Sequence, residues 1–142
     1  PDYPKEPVIE FMSLSKTTMF QTPFGQDSVV ITFSFTDGDG DLGFTDGQES
    51  IFIKDGRDSF QKPSYRIPHV DQQGAGNGIS GEISIVVPTT CCIYPFPLPP
   101  CDTINAPQQF DTVFYRIQIK DRAGNLSNEI QTAPIRLICK RQ

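Results

Sequence analysis

Three aspartates at alternate positions, Asp37, Asp39 and Asp41, stand among glycines in the segment Thr36-Asp37-Gly38-Asp39-Gly40-Asp41-Leu42-Gly43. Carboxylates this close repel one another, and a bound cation relieves the repulsion. Calcium suits such a loop, because it accepts about six to eight oxygens at about 2.3–2.6 Å and a tight Asp-x-Asp-x-Asp turn can supply them. The EF-hand template does not fit. Counted from Asp37, Leu42 falls where that loop needs glycine and Gln48 where it needs glutamate. The competing reading is that Asp and Gly simply make good, well-solvated turns.

The four cysteines carry a second kind of chemistry. Cys91, Cys92 and Cys101 fall in a proline-rich stretch, and Cys139 lies three residues from the last residue given. No Cys-x-x-Cys pair exists and His69 is the only histidine, which argues against structural zinc and for disulfides. A bridge between the neighbours Cys91 and Cys92 is strained, so one of them is expected to pair with Cys101 and the other with Cys139. Disulfides in turn imply an oxidising, extracytoplasmic compartment.

Catalysis has little support. His69 stands alone, and Gly78-Ile79-Ser80-Gly81 falls one residue short of a nucleophile elbow and lacks its strand-turn-helix setting. A glycine-spaced acidic loop offers no apolar pocket to raise a carboxyl pKa for glycoside hydrolysis. The chain is therefore expected not to be an enzyme, with no catalytic residues to name. A net charge of −5 and the lack of a basic run exclude nucleic acid as the expected partner. No stretch reaches the roughly 20 apolar residues of a membrane-spanning helix. The first residue is Pro1 rather than Met, which fits removal of a leader.

The elements that must position these groups are strands. Thirteen prolines and eleven glycines break the chain into short pieces, and no window carries an apolar stripe of helical period. Residues 1–7 read as an extended tether, and 8–142 as one domain. The alternation predicts strands over 8–15, 28–36, 50–55, 79–87, 111–121 and 129–139, with an edge strand near 65–67, where Pro63 and Pro68 forbid a central place. In the first strand Val8, Glu10, Met12 and Leu14 share a face, and the segment from Phe20 to Asp27 is expected to turn. About seven strands at this spacing predict an all-β fold, an immunoglobulin-like antiparallel β-sandwich. It lacks a tryptophan on the third strand and cysteines on the second and sixth, so a fibronectin- or cadherin-like sandwich fits better than an antibody-type domain.

Such a sandwich brings the acidic loop to the same end as the turn at Asp121. Asp37, Asp39, Asp41 and Asp121 are then expected to hold a structural calcium ion, with Asn125 and Glu6 or Glu10 close by. The cysteines fall at the opposite end. The apolar loop between them, Ile93-Tyr94-Pro95-Phe96-Pro97-Leu98-Pro99-Pro100, is expected to pack back beneath the fold. The alternative is a rigid knob for a partner.

Two stretches carry a resemblance. Phe35-Thr36-Asp37-Gly38-Asp39-Gly40-Asp41-Leu42-Gly43 resembles the loop after the second strand in immunoglobulin-like domains of Gram-negative surface lipoproteins. Ile119-Lys120-Asp121-Arg122-Ala123-Gly124-Asn125-Leu126-Ser127 resembles the turn between the last two strands of bacterial immunoglobulin-like and cadherin-like repeats. The resemblance implies an extracytoplasmic module, secreted or tethered through an upstream lipidated cysteine that this sequence does not contain. Its expected work is binding or adhesion, to a protein or glycan at the cell surface. A structural spacer is the alternative, with a glycan-active hydrolase behind both.

Overall fold

The computed structural model describes residues 6–22, 27–38, 51–57, 79–121 and 124–140. Among them every regular element is a strand: β1 (Val8–Leu14), β2 (Thr18–Phe20), β3 (Ser28–Asp37), β4 (Ile51–Asp55), β5 (Ile79–Pro88), β6 (Phe110–Val113), β7 (Tyr115–Ile119), β8 (Ile130–Gln131) and β9 (Ile135–Ile138). They form three three-stranded sheets with orders β1-β3-β5, β2-β9-β6 and β4-β7-β8. All pairings are antiparallel except β2 with β9, which is parallel. No helix among the described residues is long and apolar enough to cross a membrane.

The longest ladder joins β3 to β5, from Ser28↔Pro88 to Asp37↔Ile79. Its regularity follows from clean alternation: Val29, Ile31, Phe33 and Phe35 are buried while the residues between them are not. On the solvent face the Thr32 and Ser84 hydroxyls bond at 2.8 Å. Gly81 stands opposite Phe35, where an added Cβ would come within 3.2 Å of the phenyl ring. A side chain at this point of β5 would need the ring to give by a few tenths of an ångström.

One hydrophobic core draws on all three sheets. Ile9, Ile31, Phe33 and Val87 meet Ile51, Ile53, Tyr115, Ile117, Ile135 and Leu137, all essentially without exposure. At about 25 cal/mol per Å² of apolar surface, this cluster is the main source of stability.

The strands differ from the alternation reading in three places. The first strand carries a bulge between Phe11 and Ser13, so Leu14 leaves the face of Val8 and Glu10 and packs against the core with Phe11. The expected strand 111–121 is split at Phe114, and the strand 129–139 is split between Gln131 and Ile135. The two breaks share one cause. Pro134 has no N–H to give, and the Thr132 hydroxyl replaces a ladder carbonyl by accepting the Tyr115 N–H at 3.1 Å. The third difference is β2, three residues between the expected first strand and the segment read as a turn, with which it shares only Phe20. The proposed edge strand at 65–67 lies outside the described residues. So do residues 1–5 of the proposed tether, whose Pro7 is buried.

Asp27 fastens the connection around β2. Its carboxylate pairs with Lys16 and accepts the N–H groups of Phe20 (3.0 Å) and Ser28 (2.8 Å). Partial burial opposes ionisation, but the Lys16 bond and the two backbone donors outweigh it and hold the pKa below the usual 3.8. A depressed carboxyl pKa contributes stability above its unfolded value that is lost as pH falls through the folded one. Asp27→Asn is therefore expected to lower Tm at pH 7, with the gap to wild type closing as pH drops below 3.8. A gap that stays constant through acid would assign the effect to packing instead.

Candidate functional site

The acidic end is built where β3 finishes. Val8 of β1 pairs with Thr36, Ile79 of β5 pairs with Asp37, and Ile51 of β4 pairs with Ile119 of β7. The first and last of these sheets are tied together at that end by a two-way bond. The Ile9 N–H donates to Asn128 Oδ1 at 2.9 Å, and Asn128 Nδ2 donates to the Ile9 carbonyl at 2.9 Å. The end of β3 and the turn after β7 therefore occupy the same end of the molecule.

Asp121 is wholly buried beside that turn. Its Oδ1 accepts the Asn125 N–H at 2.8 Å and its Oδ2 accepts from Asn125 Nδ2 at 3.2 Å. Its own N–H donates to the Asn125 carbonyl, and its carbonyl accepts from Gly124, which sits at φ +89°. Only a residue without a Cβ adopts that angle easily, so Gly124 is what lets the turn close around the carboxylate. Asp121 thus has a structural role in its own loop. Asp39, Asp41 and the side chain of Asp37 lie outside the described residues, as does His69. Glu6 and Glu10 are exposed. Among the described residues no group of three metal-ligating side chains comes together.

The other end is stapled. Cys91 bonds Cys101 and Cys92 bonds Cys139, with Cα separations of 4.7 and 5.9 Å. Both pairings fall within the scheme expected from the sequence. Gln21, just past β2, is the buried polar hub beneath the loop. Its Nε2 donates to Tyr94 Oη and to the Cys139 carbonyl, both at 2.8 Å, while its Oε1 accepts the Cys92 N–H at 2.8 Å. Tyr94 Oη in turn donates to the Asp102 carbonyl at 2.7 Å.

A second anchor is Arg57. It forms a fork with Asp55 (3.1 and 2.7 Å), reaches Asp111 Oδ2 at 2.7 Å and donates to the Cys91 carbonyl at 3.0 Å. Asp111 Oδ2 also accepts the Ile93 N–H at 2.9 Å. Burial disfavours the guanidinium charge, but the bonds and charges of Asp55 and then Asp111 prevail and raise the pKa above its ordinary value. Neither Gln21 nor Arg57 carries a signal in the local sequence beyond the Asp55-Gly56 turn.

The loop these anchors hold divides into two parts. Cys92 and Tyr94 are packed inward, but within Ile93–Pro100 Tyr94 is the one buried residue and the other seven are exposed. The segment therefore does not fold beneath the domain as expected: its backbone is held at Tyr94 while its prolines and apolar side chains face solvent. Phe96 and Ile104 project outward, 97% and 85% exposed. Two open troughs lie on either side of β2. One of about 540 Å³ is lined by Thr17, Thr18, Thr112, Pro134, Ile135 and Arg136, and one of about 440 Å³ by Lys16, Thr18, Phe20, Gln21, Thr22 and Asp27. The second contains the Lys16–Asp27 ion pair. No family model, curated protein or solved structure matches this chain.

Proposed function

We propose that the chain is an immunoglobulin-like β-sandwich acting outside the cytoplasm as a binding or adhesion module, secreted or held by a lipid anchor upstream. The fold part of this reading is supported by strand order. Sheet β1-β3-β5 corresponds to strands A, B and E, while β4, β6 with β7, and β8 with β9 correspond to C, F and G. The compartment is supported by two disulfides with no free cysteine among the described residues.

The observation that carries the function is Phe96. An almost fully exposed aromatic ring on a loop fixed by two disulfides, Gln21 and Arg57 has already lost the freedom that binding would otherwise cost. A spacer has no use for such a tip. Probing glycan and cell-surface protein arrays with the whole chain tests this. Binding is expected, and the double variant Phe96→Ser/Ile104→Ser is expected to lose it. No signal from wild type on either array would favour the spacer.

Structural calcium, bound through Asp37, Asp39, Asp41 and Asp121, belongs to the same proposal. Its expected result is a Tm that rises with calcium and falls back with chelator, following RT ln(1 + [L]/Kd). An unchanged Tm at millimolar calcium would remove the ion from the account.

A further inference from the structure

The solvent faces of the sheets differ in charge. On β1, β3 and β5 the outward charged side chains among the described residues are Glu10 and Glu82, both opposite Ser34. On the sheets containing β4, β7 and β9 they are Lys54, Arg116 and Arg136; Lys120 continues the row of Arg116, and one exposed carboxylate, Glu129, stands just before β8. None of these four cations forms an ion pair among the described residues, whereas Lys16 and Arg57 both do. Each of three cations lies over a ring: Arg116 over Phe114, Lys120 over Phe52 and Arg136 over Phe110, at 5.9, 5.8 and 4.6 Å. The β4-β7-β8 sheet thus presents three cations, Lys54, Arg116 and Lys120, with two rings and one carboxylate, Glu129, on a chain of net charge −5.

One pair on that face works against stability. Lys54 and Arg116 are directly opposed in the β4–β7 register. Their Cβ atoms are then about 5 Å apart, and like charges so placed are destabilising. A carboxylate at position 54 would turn the repulsion into attraction, so the lysine is better explained by an anion that both cations hold. The negative net charge does not prevent this, because charges farther away than about 8 Å are largely screened at physiological salt.

We infer that this face binds an acidic polysaccharide, specifically a linear polyuronate. Arg116 and Lys120 lie four residues apart along one strand line, about 13 Å at about 3.3 Å per residue. Lys54 stands beside the first of them. A row of cations on a flat sheet fits a chain that repeats a carboxylate from sugar to sugar. Gln131, exposed opposite Arg116, offers an amide to hydroxyls, and the rings offer surface to sugar C–H faces. A protein partner would need a desolvated apolar anchor near the centre of the patch. Here the rings lie beneath cations instead.

The inference rests on the binding-module reading but uses a different surface from the Phe96 loop, so the two can fail separately. Affinity electrophoresis and calorimetry with polygalacturonate, with neutral dextran and poly-glutamate as comparisons, test it on the whole chain. Polygalacturonate should bind, more weakly as salt rises, and dextran should not. Lys54→Glu should weaken that binding by about tenfold while raising Tm, since it replaces a repulsive pair with an attractive one. Arg116→Gln should weaken it without that gain, and Phe96→Ser/Ile104→Ser should leave it unchanged. Wild-type binding by folded Lys54→Glu, or no binding of polygalacturonate at low salt, would overturn the inference. Equal affinity for poly-glutamate would overturn it in favour of an acidic protein partner. If the array ligand of the Phe96 loop survives either result, the binding-module reading stands without this one.

Discussion

Replacing Arg57 with methionine should destabilise the protein by about 3–5 kcal/mol, the usual result of removing one partner from a buried ion cluster. The guanidinium is 10% exposed and satisfies Asp55 (4%) and Asp111 (18%) at once. Its loss takes the guanidinium charge from both carboxylates, which keep backbone N–H donors, and leaves the Cys91 carbonyl without that donor. The effect should also be local, because Asp111 holds the Ile93 N–H and so the start of the exposed loop. Arg57→Lys keeps the charge but not the planar fork, and should recover only part of the loss. Urea unfolding of the two variants decides the matter. A loss below about 1 kcal/mol for Arg57→Met would mean the cluster is solvated like a surface pair.

Removing the Cys92–Cys139 bridge by a double alanine substitution should cost about 4 kcal/mol in the chain-entropy relation, against about 3 for Cys91–Cys101. The order follows from the sequence separations, 47 and 10 residues. Burial widens the difference. Cys92 and Cys139 have no exposure and belong to the core, so their truncation also leaves a cavity, whereas Cys91 and Cys101 are partly exposed. Domains of this size have about 5–15 kcal/mol in total, so the first variant should be close to unfolding at 37 °C. Equal losses, or the reverse order, would show that the unfolded chain does not set the effect.

Where alternation was strong, the sequence was a sufficient guide. β3 and β5 pair along their whole expected length, because a one-residue slip would turn Val29, Ile31, Phe33 and Phe35 out of the core. β2 escaped notice because three residues are too few to display a period, and their partner is more than a hundred positions away. The splits at Phe114 and before Ile135 depend on a hydroxyl taking a carbonyl's place, which no pattern of apolar residues encodes.

The candidate sites follow the same division. Cysteine spacing and turn residues are local signals, and the cysteine pairing was legible to within one choice. Gln21, whose bonds reach Tyr94, Cys92 and Cys139, and Arg57, which reaches Asp111, depend on long-range packing and left no local trace. The opposition of Lys54 and Arg116 likewise becomes visible only once the register is known.

The parallel pairing of β2 with β9 bears on how the protein is made. Thr18, Met19 and Phe20 await Arg136, Leu137 and Ile138, and β9 also supplies the ladder for β6. Synthesis delivers the N-terminal partner long before the C-terminal one, and so distant a contact closes slowly. Maturation of this layer is thus postponed until Ile135–Ile138 has been delivered, and a fragment stopping short of Ile135 would emerge with two strands lacking their shared neighbour.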